Sequence, residues 1–136
     1  MGSWFTLSLM TLLLWGFWSF FPKLATFYLD PRSVTIYAIM GNLLVAMGVF
    51  AAIGGKPEVH GKGIIFALLA GICGALGLIL YIYALKLGKT AVVITLTALY
   101  PLVGILLSAI FLKEPITLKQ GLGMVFAITA MALFYG

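Results

Sequence analysis

Five long apolar runs constrain this chain more than any other feature, because each is long enough to cross a membrane. A helix of about 20 apolar residues spans the hydrocarbon core of a bilayer. Hydrophobic residues make up 64% of the chain and charged residues 8%, against about half and about a quarter in soluble domains. The sequence therefore predicts an all-α membrane protein, a five-transmembrane-helix bundle in one domain over residues 1–136. The predicted spans are residues 4–29, 31–53, 63–85, 90–112 and 117–136.

The eight basic residues divide evenly between the two sides of the membrane. When the chain is followed from the first span to the fifth, four basic residues fall on the N-terminal side of the membrane: Lys56, Lys62, Lys113 and Lys119. The other four fall on the opposite side: Lys23, Arg32, Lys86 and Lys89. Orientation is set mainly by an excess of Lys and Arg on one side, and here there is none. We therefore expect insertion in both orientations. An odd number of spans in two orientations forms an inverted pair, the architecture of many secondary transporters.

The distribution of polar residues disfavours several other classes of function. The acids Asp30, Glu58 and Glu114 all fall at connections, which leaves no carboxylate inside a span for proton or cation exchange. His60 with the nearby Glu58 is too sparse for a metal site, and there is no nucleophile-base pair. The basic residues stand singly instead of clustering. We expect no enzyme activity, no metal, no cofactor and no nucleic-acid partner.

Short polar motifs predict where the spans begin. Asp30 is placed to cap the second span, with proline in its first turn. Thr90 is the predicted cap of the fourth span. Thr117 and Gln120 have the spacing of a capping box, in which each side chain accepts from a free backbone N–H at the start of the fifth span.

Lys23 is the ionisable side chain placed deepest within a span, and Trp15 and Trp18 precede it on the same helix. A cation inside a span is a hypothesis of function by default. Two interpretations stay open: Lys23 binds an anionic substrate group, or its long stem carries the amine to lipid phosphates. The tryptophans are equally compatible with a substrate cavity, with core packing and with an interfacial aromatic belt.

The third and fourth spans supply the remaining candidates. Tyr81 lies on a row of small residues, a pattern that usually serves close helix packing. Pro101 has no N–H to donate to the carbonyl of Thr97, so a bend is expected there, next to Tyr100. A freed carbonyl needs another partner or a wet cavity. A substrate contact at this bend is an alternative to a purely structural role.

Several stretches resemble an EamA-like domain of the drug/metabolite transporter superfamily. They are residues 83–91, 97–103, 112–117 and 121–123, with Trp15-Gly16, Lys23 and Asp30-Pro31 resembling the first half. The resemblance implies a five-helix repeat that most members carry twice, inverted, in one chain. One copy here fits an antiparallel homodimer, each copy being half of an inverted-repeat transporter. Many members have an arginine early in the second helix, where this chain has Tyr37-Ala38. The role of that arginine therefore cannot be assigned to this chain.

These observations predict a small secondary transporter, an exporter of metabolites or drugs, in a prokaryotic cytoplasmic (inner) membrane. Its partners are membrane lipid, a second copy and a small amphipathic or carboxylate-bearing substrate. A passive ion or solute channel and a non-transporting assembly subunit are the alternatives. The predicted substrate-binding or gating residues are Trp15, Trp18, Lys23, Tyr81, Thr97, Tyr100 and Pro101.

Overall fold

A computed structural model describes residues 3–135, and every regular element among them is helical. The helices are α1 (Ser3–Ala25), α2 (Pro31–Ala52), α3 (Gly61–Leu87), α4 (Thr90–Thr97), α5 (Tyr100–Leu107), a short π-helix (Ser108–Leu112) and α6 (Leu118–Tyr135). Five stretches are long and apolar enough to cross a membrane: α1, α2, α3, the run from α4 to the end of the π-helix, and α6. The predicted all-helical, five-span architecture is confirmed.

The contacts of the chain cluster into two units, divided between Leu87 and Gly88. Unit 1 contains α1, α2 and α3, and unit 2 contains α4, α5, the π-helix and α6. The prediction that all 136 residues act as a single domain stays a prediction.

The connection between α1 and α2 is built as the sequence predicts. Asp30 caps α2: its carboxylate accepts from the backbone N–H groups of Arg32, at 3.0 Å, and Ser33, at 3.4 Å. The hydroxyl of Ser33 also donates to this carboxylate, and these bonds lower the pKa of Asp30 below its usual value. Such a cap satisfies backbone donors that the first helical turn leaves free.

The packing of unit 1 is concentrated at one end, where α1 ends, α2 begins and α3 ends. A cluster of Val34, Leu78 and Ile82 is buried there, with two alanines packed against it. Residues 3–18, 39–52 and 61–74, which form most of the remaining length of the three helices, are exposed. We call the residues 19–26, 30–35 and 78–86 the tied end of unit 1.

Unit 2 has an irregular backbone. The fourth span is interrupted at residues 98–99, and Pro101 lies in the first turn of the helical segment that resumes at Tyr100. The same span ends in a π-helix, and Lys113 follows in the left-handed region with φ of 56°. Residues other than glycine seldom adopt this conformation, because Cβ then approaches the following carbonyl oxygen.

The two capping predictions of unit 2 differ in outcome. The capping box is confirmed: the amide oxygen of Gln120 accepts from the backbone N–H of Thr117 at 2.8 Å, and the threonine hydroxyl accepts from the backbone N–H of Gln120 at 3.3 Å. The cap at Thr90 is wrong by one position. Lys89 is the N-cap of α4 and makes no side-chain capping bond, so Thr90 is the first helical residue.

Candidate functional site

Tyr81, in the tied end of unit 1, contacts Trp18, which immediately precedes that end on α1. The rings of Trp18 and Tyr81 stack with centroids 5.4 Å apart and planes 9° apart. The hydroxyl of Tyr81 donates to the backbone carbonyl of Ser19 at 2.7 Å. Tyr81 is buried, at 6% exposure, whereas 46% of Trp18 is exposed. Tyr81 therefore connects α3 to α1 through both its ring and its hydroxyl.

Lys23 lies one helical turn further along α1 and is half-buried. Its Nζ donates to the backbone carbonyl of Leu85 at 2.8 Å and lies 5.5 Å from the centre of the Phe27 ring. The amine thus contacts a carbonyl at the end of α3 and an aromatic face in its own connection. Cations are favourable at helix C-termini, where the last four carbonyls lack intrahelical donors. Cation–π contact adds a weaker attraction.

Two contacts at the same end were not predicted. Lys86 Nζ donates to the backbone carbonyl of Thr26 at 2.8 Å, and Arg32 Nε donates to the hydroxyl of Tyr83 at 3.3 Å. A signal for the first was present in the sequence, because Lys86 occupies the last turn of α3 as Lys23 occupies the last turn of α1. The pairing itself needs the relative placement of the two helices, which periodicity does not give.

Trp15 is exposed on the surface of α1, at 55%. It lies two turns before Lys23, outside the stack that Trp18 and Tyr81 form. The hypothesis that Trp15 contacts substrate stays a prediction.

The other predicted residues surround the interruption in unit 2. The hydroxyl of Thr97 donates to the backbone carbonyls of Val93, at 2.8 Å, and Ile94, at 3.1 Å. Tyr100 and Pro101 begin the next helical segment, and 56% of Tyr100 is exposed. The expected break at Pro101 is thus present, while substrate contact by these three residues stays a prediction.

Two cavities are lined by residues outside the tied end of unit 1. A cavity of about 200 Å³ in unit 2 is lined by Ile105, Ser108, Glu114, Pro115, Ile116 and Gln120. A shallow apolar groove on α2, lined by Leu43, Ala46, Met47, Phe50 and Ala51, contains none of the predicted residues. Residues 3–135 contain no group of three or more His, Cys, Asp or Glu that could hold a metal ion.

Five apolar helices, with few polar groups inside them, define an integral membrane protein. The family model of the EamA-like transporter family matches residues 2–136, so the chain belongs to that family. An uncharacterized protein of Methanocaldococcus jannaschii is 35% identical over 72 residues, which are 53% of this chain and 53% of that protein. The match therefore spans about half the length of that relative. No solved structure matches the chain.

Proposed function

We propose that the protein is a secondary transporter that exports small metabolites or drugs, and that it works by alternating access as an antiparallel pair of copies. The observation that carries the proposal is the family match over a chain of five spans. Five spans in one orientation and five in the other supply the two inverted halves of a transporter. The even division of eight Lys and Arg residues is what insertion in both orientations requires.

The structure supports pairing through its exposed surface. Most of the length of α1, α2 and α3 is exposed, including aromatic and aliphatic side chains such as Trp4, Leu44 and Phe66. Lipid tails solvate such surfaces as well as another helix does, so exposure alone does not select a partner. The balance of charge supplies the further argument for a second copy of opposite orientation.

The transport test is a screen in proteoliposomes, run with and without a proton or sodium gradient. Concentrative uptake of a metabolite or drug that depends on a gradient is the expected result. Flux that only follows the solute's own gradient would favour the channel, and the absence of any flux would favour an assembly subunit.

The pairing test is cysteine accessibility to an impermeant reagent, measured in intact cells and again after the membrane is permeabilised. Single cysteines at Val59 and Gly88, in a Cys73→Ser background, mark connections predicted on opposite sides of the membrane. Each should react in part in intact cells and completely after permeabilisation. Two lysines added to either side should bias insertion and lower activity, because each copy needs an oppositely oriented partner. Labelling of each position from one side only would refute dual insertion.

For the substrate, we propose a solute with a carboxylate or other anionic group, selected by Lys23. Among residues 3–135 no carboxylate forms an ion pair with this amine, which keeps two N–H donors beyond the one given to Leu85. The nearby Trp18 and Tyr81 rings suit an apolar or aromatic moiety. Lys23→Met keeps the stem and removes the charge, so transport of anionic solutes should fall. Equal transport by parent and variant would leave Lys23 a structural residue.

A further inference from the structure

The ends of α1 and α3 are joined by two reciprocal lysine contacts. Lys23, in the last turn of α1, donates to the carbonyl of Leu85 near the end of α3. Lys86, in the last turn of α3, donates to the carbonyl of Thr26 just past the end of α1. Each amine therefore occupies the C-terminal end of the other helix, where the helix dipole favours a cation. We call these two contacts the lysine clasp.

The clasp consists of replaceable bonds. Both acceptors are backbone carbonyls, and no carboxylate among residues 3–135 pairs with either amine. The nearby carboxylate of Asp30 is engaged by Arg32 and Ser33 in the cap of α2. An ammonium–carbonyl bond is strong enough to hold two helix ends together, yet water or an anion can take its place when the ends separate.

The position of the clasp coincides with the packed part of unit 1. Thr26 is 2% exposed and Leu85 is fully buried, while the opposite lengths of the three helices are exposed. Tyr81 adds its hydrogen bond to α1 at the same end. In this conformation α1 and α3 are thus fastened to each other at this side of the membrane. A protein that works by alternating access must release whichever side is closed.

We propose that Lys23 and Lys86 form a gate clasp, closed in this conformation, which opens when α1 and α3 separate at this side of the membrane during transport. The inference rests on the proposed alternating access. It assigns Lys86 a positioning role in gating that neither its place in the sequence nor the family match gives it.

The test measures the separation of the two helix ends directly. Spin labels at Tyr28→Cys and Leu87→Cys, both exposed positions that contribute no side chain to the clasp, report this distance in the Cys73→Ser background by pulsed electron paramagnetic resonance. Labelled protein is diluted with unlabelled copies in nanodiscs, so that distances within one copy dominate. The parent should give one short, narrow distance distribution.

Removing either amine should open the clasp. Lys86→Met and Lys23→Met should each shift the ratio of long to short distances by about tenfold or more, as expected for a hydrogen bond to a charged group. Lys86→Arg keeps a cation that can donate to the Thr26 carbonyl and should restore the parent distribution. Lys62→Met removes a lysine from the other end of α3 and is the matched control, with no change expected.

The outcomes separate the clasp from the proposed function. An unchanged distribution in both methionine variants overturns the clasp, whatever the transport assay gives. A shift that Lys86→Arg does not reverse also overturns it, because a general loss of packing then explains the opening. If the distances shift as expected but no variant moves any solute, the clasp stands as a contact between helices, and the gating role falls together with transport.

Discussion

Unit 1 and unit 2 solve the problem of folding in a membrane in different ways. In unit 1 three unbroken helices are held at one end by a buried cluster and by hydrogen bonds from Lys23, Tyr81 and Lys86 to carbonyls of neighbouring helices. In unit 2, over residues 88–135, no residue is fully buried, and the backbone carries a helix break, a π-helix and a left-handed residue. Unit 1 is thus defined by contacts between helices, and unit 2 by departures from regular helix.

This difference indicates where a conformational change needs little free energy. Unit 1 moves only by breaking specific contacts at its tied end, a two-state change. Unit 2 can bend at residues 98–99, where the hydrogen-bond ladder is already interrupted. π-Helical segments are frequent at functional sites for a similar reason, since they depart from the α-helical ladder. Four changes, from the largest expected effect to the smallest, test this contrast.

The largest effect is expected from Ile82→Ala in the core of unit 1. Ile82 has no exposed surface and packs in the cluster with Val34 and Leu78. Truncation leaves a cavity, and we expect a loss of about 2 kcal/mol in the free energy of unfolding. This value is at the low end of the usual range, because burying an apolar side chain away from lipid gains less than burying it away from water. Unfolding in mixed micelles measures it.

The matched control is Leu80→Ala on the same helix, where 71% of the side chain is exposed. This variant should change the unfolding free energy by no more than about 0.5 kcal/mol. Equal effects of the two variants would contradict the claim that unit 1 is stabilised by its buried cluster.

The next largest effect is expected from Pro101→Ala, which should make the fourth span a continuous helix like those of unit 1. Alanine supplies an N–H for the carbonyl of Thr97, so α4 and α5 should join into a straighter helix. The fold should persist and the transport rate should fall several-fold, because bending becomes more difficult. Hydrogen exchange at Leu102 should slow in parallel.

Pro115→Ala changes a proline in a connection outside any helix and is the control for this variant. Its transport rate should match that of the parent. A Pro101→Ala protein with unaltered turnover would remove the hinge role and leave the break a structural detail.

A smaller and opposite effect is expected from Lys113→Gly in unit 2. Glycine adopts a φ of 56° without the strain that a side chain causes. The variant should therefore be more stable than the parent by about 1 kcal/mol. Lys119→Gly, a change of the same residue type in the first turn of α6, relieves no such strain and should not raise the stability. Thermal denaturation of both variants in one detergent tests the difference; a loss of stability in Lys113→Gly would show that this lysine makes a contact worth more than the strain.

The smallest effect concerns Asp30, at the start of α2. The Ser33 hydroxyl, followed by the backbone N–H groups of Ser33 and Arg32, lowers the pKa of this carboxyl. A lowered pKa contributes stability that is present above the unfolded-chain value of about 3.9 and is lost as the pH falls through the folded value. The parent should lose a little stability in that interval. Asp30→Asn keeps a capping side chain without a titrating group, so its stability relative to the parent should rise as the pH falls; parallel pH profiles would contradict the role of the cap.

Much of the local structure was readable from the sequence. Asp30 with Pro31, and Thr117 with Gln120, fixed two helix starts, because a cap depends only on groups a few residues apart. The absent N–H of Pro101 likewise placed the interruption of the fourth span. The misplaced cap at Thr90 shows the limit of this kind of inference, since a threonine that can cap also fits the first helical turn.

The sequence by itself determined the class of protein, the number of spans and where two of the helices, α2 and α6, begin, because hydropathy and capping are local properties. Only the tertiary structure decided which groups meet: that Trp18 stacks on Tyr81, that Lys23 reaches the backbone carbonyl of Leu85 and that Lys86 reaches the backbone carbonyl of Thr26. These pairs lie about 60 residues apart along the chain, at separations of 62 and 60 for the two lysine contacts. In a membrane every apolar face is equally soluble in lipid, so periodicity does not specify which helix faces another. Close packing and the free carbonyls at helix ends make that choice.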